Sequence, residues 1–122
     1  MAKILIVDDS GLARRSVRKI LETAGHDVIE AQDGLAALEL YFTEKPDLAL
    51  LDVTMREMDG IEVLNRIREF DPTAMVIIVS ADVQNSTREM AADGGAVAFV
   101  IKPIQPAVLL AAVEDALHGA AP

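Results

Sequence analysis

The chain has neither cysteine nor tryptophan among its 122 residues. Without cysteine there are no disulfides and no thiolate metal site. That suits a reducing cytoplasm, which is the expected location. Aromatic residues make up only 3% of the sequence. The aromatic walls and phosphate loop of a flavin binder are missing. Basic residues are scarce as well: 11 Lys and Arg stand against 20 Asp and Glu, for a formal net charge of −9. Nucleic acid and anionic membranes repel such a surface, so neither is expected as a direct partner. Long apolar runs are also absent. The first, Ile4 to Val7, is far too short for a signal-peptide core or a membrane span. No repeat, linker or low-complexity segment breaks the chain. Its length fits one domain over residues 1–122.

What the chain does have is a set of short apolar runs, each closed by a polar residue. Ile4-Leu5-Ile6-Val7 ends at Asp8-Asp9, and Leu48-Ala49-Leu50-Leu51 ends at Asp52. Met75 to Val79 ends at Ser80, and Phe99-Val100-Ile101 ends at Lys102. Runs of this length suit strands buried on both faces of a parallel sheet. His26 to Ala31 reads as a further, shorter strand.

Amphipathic stretches alternate with these runs. Gly11 to Ala24 places Ala13, Val17, Ile20, Leu21 and Ala24 at helical spacing, with Arg14, Arg15, Arg18 and Lys19 towards solvent. Gly25 is its expected C′ stop. Asp33-Gly34 opens a helix to about Glu44, stopped by Pro46. Gly60 to Phe70 reads as the third helix, with Ile61, Leu64 and Ile67 inward and Pro72 beyond it. Gln84 to Asp93 is a weakly apolar fourth helix with a stripe at Thr87, Met90 and Ala91, ended by Gly94-Gly95. Pro106 starts the last helix, whose buried stripe is Leu109, Ala112, Val113 and Ala116. His26 and His118 are expected at the surface, and the tail 119–122 is expected to fray. Five alternations of strand and helix predict an α/β, doubly wound (βα)5 fold with a five-stranded parallel sheet. Order 2-1-3-4-5, as in flavodoxin-like folds, places a switch point between the first and third strands.

Ligands in such sheets bind outside the carboxyl ends of the strands. Asp8, Asp9 and Asp52 would meet there, with Ser80 and Lys102 approaching from the outer strands. Two carboxylates ~5 Å apart repel by about 3 kcal/mol at an effective dielectric near 20. Cations must offset that repulsion. Mg²⁺ is the natural one, because it takes hard oxygen ligands and shares its shell with water and phosphate. Lys102 adds a tethered ammonium suited to a phosphoryl oxygen or to Asp52. A carboxylate can attack phosphorus and form an acyl phosphate. Asp52 is the best nucleophile, fed by a central strand and followed by a loop, while Asp8 and Asp9 are better placed to hold metal.

These motifs together resemble the receiver domain of two-component response regulators, in its stand-alone chemotaxis type. The match rests on Asp8-Asp9-Ser10, Asp52-Val53-Thr54-Met55, Met58-Asp59-Gly60, Ser80-Ala81 and Phe99-Val100-Ile101-Lys102-Pro103, in order across nearly the whole chain. The resemblance implies that Asp52 is the phosphorylated residue. Asp8, Asp9, Asp52 and the Thr54 carbonyl would hold Mg²⁺, and Ser80 and Lys102 would contact the phosphoryl group. Phe99 would be the switch aromatic beside Ser80, and the Lys102-Pro103 bond would be cis. Thr54 and Asp82, two residues beyond Asp52 and Ser80, fall where the family modulates dephosphorylation. One departure is Arg56, where the family often has proline; it should make the loop after Asp52 more adaptable.

The expected function is a phosphorylation-operated switch rather than an enzyme, although it assists its own phosphorylation and dephosphorylation. A histidine kinase would donate the phosphoryl group. The face made by the fourth helix, fifth strand and fifth helix would signal to a downstream protein, and a phosphatase is a further expected partner. The unphosphorylated form is expected to be a monomer. Rival readings are a phosphorylation-independent scaffold, a fragment of a longer regulator, and an aspartate-nucleophile phosphatase. The phosphatase would want a second acid where Thr54 stands.

Overall fold

A computed structural model of the chain describes residues 2–55 and 58–118. Each predicted strand and helix is present. The order is β1 (Lys3–Val7), α1 (Gly11–Thr23), β2 (Asp27–Ala31), α2 (Gly34–Glu44), β3 (Leu48–Asp52), α3 (Gly60–Phe70), β4 (Val76–Ser80), α4 (Asn85–Asp93), β5 (Ala98–Ile101) and α5 (Pro106–His118). The strands form one parallel sheet in the order β2-β1-β3-β4-β5. This is the flavodoxin-like doubly wound architecture. The predicted Arg56 effect and the fraying of 119–122 lie outside the described residues.

Two apolar layers sandwich the sheet because successive strand side chains point to opposite faces. Leu5, Val7, Ala49, Leu51, Val76 and Ile78 pack with Ala37, Tyr41, Leu64 and Ile67 of α2 and α3. Their neighbours Ile4, Ile6, Leu48, Leu50, Ile77 and Val79 pack with Val17 and Leu21 of α1 and with Leu109 and Val113 of α5. Helix starts are fixed locally. Ser10, Asp33 and Asp59 accept the N–H groups of Ala13, Ala36 and Glu62 at α1, α2 and α3. Gly25 adopts φ +94°, which an L side chain rarely tolerates, and so ends the α1 unit as expected.

Several side chains differ from their predicted placement. Ala24 is exposed, because it lies past Thr23 as the C-cap of α1. Met90 is exposed on α4, so Thr87 and Ala91 alone anchor that helix's inner face. Ile101 is also exposed, since β5 is the sheet edge. His26 is buried rather than at the surface: the chain doubles back at the base of β1, and its Nδ1 accepts the Ala2 N–H at 3.3 Å. Arg14 is not a solvated helix residue. Its guanidinium pairs with Glu30 at 2.8 Å.

Candidate functional site

The carboxyl edge of the sheet gathers the predicted residues. Asp8 and Asp9 leave the end of β1, Asp52 is the last residue of β3, Ser80 the last of β4, and Lys102 follows β5. One carboxylate oxygen from each of Asp8, Asp9 and Asp52 can be chosen so that all lie within 4.8 Å of one another. Asp8 and Asp52 are buried, while Asp9 is exposed. The Lys102 ammonium bridges the buried pair, 3.0 Å from Asp8 Oδ2 and 3.2 Å from Asp52 Oδ1. Asp8 Oδ1 meanwhile accepts the Ser10 N–H at 2.9 Å.

Electrostatics follow from this crowding. Burial pushes the Asp52 carboxyl above its ordinary range, and the charge of Asp8 pushes the same way; Lys102 opposes both. Burial works against the charge on Lys102. Its hydrogen bond to Asp8 and the charges of Asp52 and Asp8 outweigh that, and its pKa ends above the ordinary lysine value. Hard oxygen donors at this spacing fit a small divalent cation such as Mg²⁺.

The remaining predicted residues frame the cluster. Ser80 is fully buried, and its Oγ accepts the Asp82 N–H at 2.9 Å. Asp82 in turn accepts from Gln84 N at 2.9 Å and from the Thr87 hydroxyl at 2.6 Å. Phe99 is half-buried, with the Arg88 guanidinium 4.9 Å over its ring. Thr54 is exposed in the loop after β3. The Lys102-Pro103 peptide is cis. An apolar cavity of about 290 Å³ runs from Asp8, Asp52 and Lys102 between α1 and the segment after β5, walled by Val17, Ile20 and Ile104.

Three residues have supporting roles that the sequence did not assign to them. Arg14 Nη1 donates to the Asp8 carbonyl at 2.6 Å. Thr87 ties α4 to Asp82, although its hydroxyl at an otherwise apolar inner position was a usable signal. Gly60 packs on the Asp52 peptide, where an added Cβ would lie 2.8 Å from the carbonyl carbon and closer still to the oxygen.

Residues 4–114 match the family model described as the response regulator receiver domain. The chain belongs to the response regulator receiver family. This receiver is 42% identical over 117 residues to the chemotaxis protein CheY of Listeria monocytogenes, covering 95% of the chain and 98% of that protein. It is 40% identical over 117 residues to CheY of Bacillus subtilis, again covering 95% and 98%. Among solved structures, CheY4 of Vibrio cholerae superposes with a TM-score of 0.91 at 29% identity, covering 96% of this receiver and 99% of that chain. A chain from the CheX–CheY–BeF3–Mg²⁺ complex of Borrelia burgdorferi gives 0.89 at 35% identity, covering 93% and 87%. The receiver is thus of the CheY type. Among the described residues, no helix is long and apolar enough to cross a membrane.

Proposed function

We propose that residues 1–122 form a single receiver that accepts a phosphoryl group on Asp52 from a histidine kinase and signals through α4, β5 and α5. The observation that carries this reading is the Lys102 ammonium held between Asp8 and Asp52, with Asp9 beside them. In the transfer, an Asp52 carboxylate oxygen forms a bond to phosphorus. The phosphorus–nitrogen bond of the donor phosphohistidine breaks, and its electron pair leaves with the imidazole nitrogen. Mg²⁺ held by Asp8, Asp9, Asp52 and the Thr54 carbonyl would supply positive charge to the phosphoryl oxygens. Lys102 exchanges its Asp52 contact for a phosphoryl oxygen, and the Ser80 hydroxyl donates to another.

Ser80 now receives the Asp82 N–H. Turning its hydroxyl towards the phosphoryl group pulls the β4–α4 segment with it, and Phe99 moves into the space vacated. Moving a two-state population from 1:99 to 99:1 requires about 5.5 kcal/mol of differential stabilisation. The proposed source is a phosphoryl group carrying ~−1.5 to −2 charge beside Lys102 and the Mg²⁺ site. Thr54 and Asp82 flank the path of an incoming water or phosphatase and modulate dephosphorylation. Exposed Val83, Met90, Val97, Ile101 and Val108 along α4, β5, α5 and their loops offer apolar surface for a downstream protein.

The test is labelling with acetyl phosphate, with and without Mg²⁺. Stoichiometric, Mg²⁺-dependent labelling that Asp52→Asn abolishes is expected. Undiminished labelling of that variant would refute the site. Beryllofluoride with Mg²⁺ should shift amide resonances at Asp52, Ser80 and Phe99 together. Shifts at none of them would favour the phosphorylation-independent scaffold.

A further inference from the structure

We infer that Arg14 is a positioning residue for the acidic cluster, fixing the peptide that joins Asp8 to Asp9 and so where both carboxylates stand. The inference rests on the proposed Mg²⁺ site. Arg14 projects from α1 and makes two directed bonds. Its Nη1 donates to the Asp8 carbonyl at 2.6 Å, and its Nε donates to Glu30 Oε1 at 2.8 Å. The second Glu30 oxygen receives Arg18 Nε at 2.6 Å. Arg18 itself is held by Glu22 at 2.9 Å and by the Val28 carbonyl at 3.3 Å. One guanidinium therefore joins α1, β2 and the exit of β1. Only 18% of the Arg14 side chain is exposed, so these charge-assisted bonds are shielded from water.

The bonded oxygen belongs to the peptide between the two acids. Because that peptide is planar, holding its carbonyl restricts ψ of Asp8 and φ of Asp9 together. Asp8 has other restraints: its N–H bonds to the Ala31 carbonyl at 3.2 Å, and its carboxylate is held by Ser10 and Lys102. The Asp9 carboxylate takes part in none of the side-chain hydrogen bonds found among the described residues, so its placement depends on the backbone before it. Residues that orient metal ligands in this way typically alter affinity by ~10–100-fold when changed. Charge alone would act oppositely, since a cation near the site repels Mg²⁺; Glu30 offsets much of that.

Arg14→Lys separates the two effects. It keeps the charge but cannot span the carbonyl and Glu30 with a rigid fork. Arg18→Lys is the matched control, because Arg18 shares Glu30 without touching the Asp8 carbonyl. Mg²⁺ titrations of wild type and both variants are followed by amide NMR shifts, at a temperature where thermal melts show each fully folded. Arg14→Lys should weaken Mg²⁺ about tenfold, with Arg18→Lys within about twofold of wild type. Wild-type affinity in Arg14→Lys, or an equal loss in Arg18→Lys, overturns the positioning role. If wild type itself shows no saturable binding, it is the Mg²⁺ site that fails, and the two failures are told apart.

Discussion

The Thr87 hydroxyl donates to Asp82 Oδ2 at 2.6 Å, linking the buried face of α4 to the segment whose N–H rests on Ser80. This bond is the main cause of an Asp82 pKa below the ordinary carboxylate range, helped by the Gln84 N–H. A carboxyl whose pKa falls on folding stabilises the fold above its unfolded value. That contribution is lost as pH drops through the folded value. Thr87→Val removes the donor at nearly constant shape. The variant should show a lower urea midpoint at pH 7, a smaller loss of stability on acidification than wild type, and faster amide exchange in α4. Unchanged α4 exchange would mean the bond does not hold the helix.

Asp52 works against the fold that carries it. Its pKa is raised by burial first and by Asp8 second. The folded state therefore binds that proton more tightly than the unfolded chain does. Stability is reduced above the folded pKa, and the reduction fades as pH falls through it towards the ordinary carboxylate value. In the absence of Mg²⁺, Asp52→Asn should be more stable than wild type at pH 7, with a higher urea midpoint. Urea melts at pH 7 and pH 4 should show the gap closing in acid.

Lys102 competes for the carboxylates assigned to metal, with Nζ at 3.0 Å from Asp8 and 3.2 Å from Asp52. Lys102→Met should bind Mg²⁺ several-fold more tightly, because a rival cation has gone. Its labelling by acetyl phosphate should nonetheless fall by about tenfold or more, because the phosphoryl oxygens lose a charged partner. Calorimetric titration and a labelling time course give the two readouts. Weaker Mg²⁺ binding would show that Lys102 organises the site rather than competing for it.

Gly60 leaves no room for a side chain against the Asp52 peptide. The obstacle is backbone of a central strand, which cannot swing aside. Gly60→Ala should cost about 1–3 kcal/mol in urea unfolding and should also slow labelling of Asp52. Gly25→Ala meets no atom within 4 Å but must hold φ near +94°, so it should cost stability without slowing labelling. Equal labelling rates in the two variants would break this contrast.

Much of the fold was legible in the chain because its causes are local. Short runs such as Ile4 to Val7 declared doubly buried strands. Asp33, Gly25 and Pro106 marked helix ends through hydrogen bonding and backbone geometry that belong to single residues. Five alternations and right-handed crossovers then left few topologies. The meeting of Asp8, Asp9, Asp52 and Lys102 followed, with Ser80 ending its strand at the same edge, because parallel strands all finish there.

Only the tertiary structure decided the side chains whose partners lie far along the chain. Arg14 read as a solvated helix residue until β2 brought Glu30 beside it. His26 read as surface until Ala2 folded over it. In each case the residue's own neighbours in sequence carry no information about what covers it. The sequence by itself determined strand polarity, helix ends and which residues reach the carboxyl edge, since those depend on periodicity and stereochemistry. The assembled structure decided which charges are paired, which are buried and what holds the Asp8–Asp9 peptide, since pairing and desolvation depend on distances between segments.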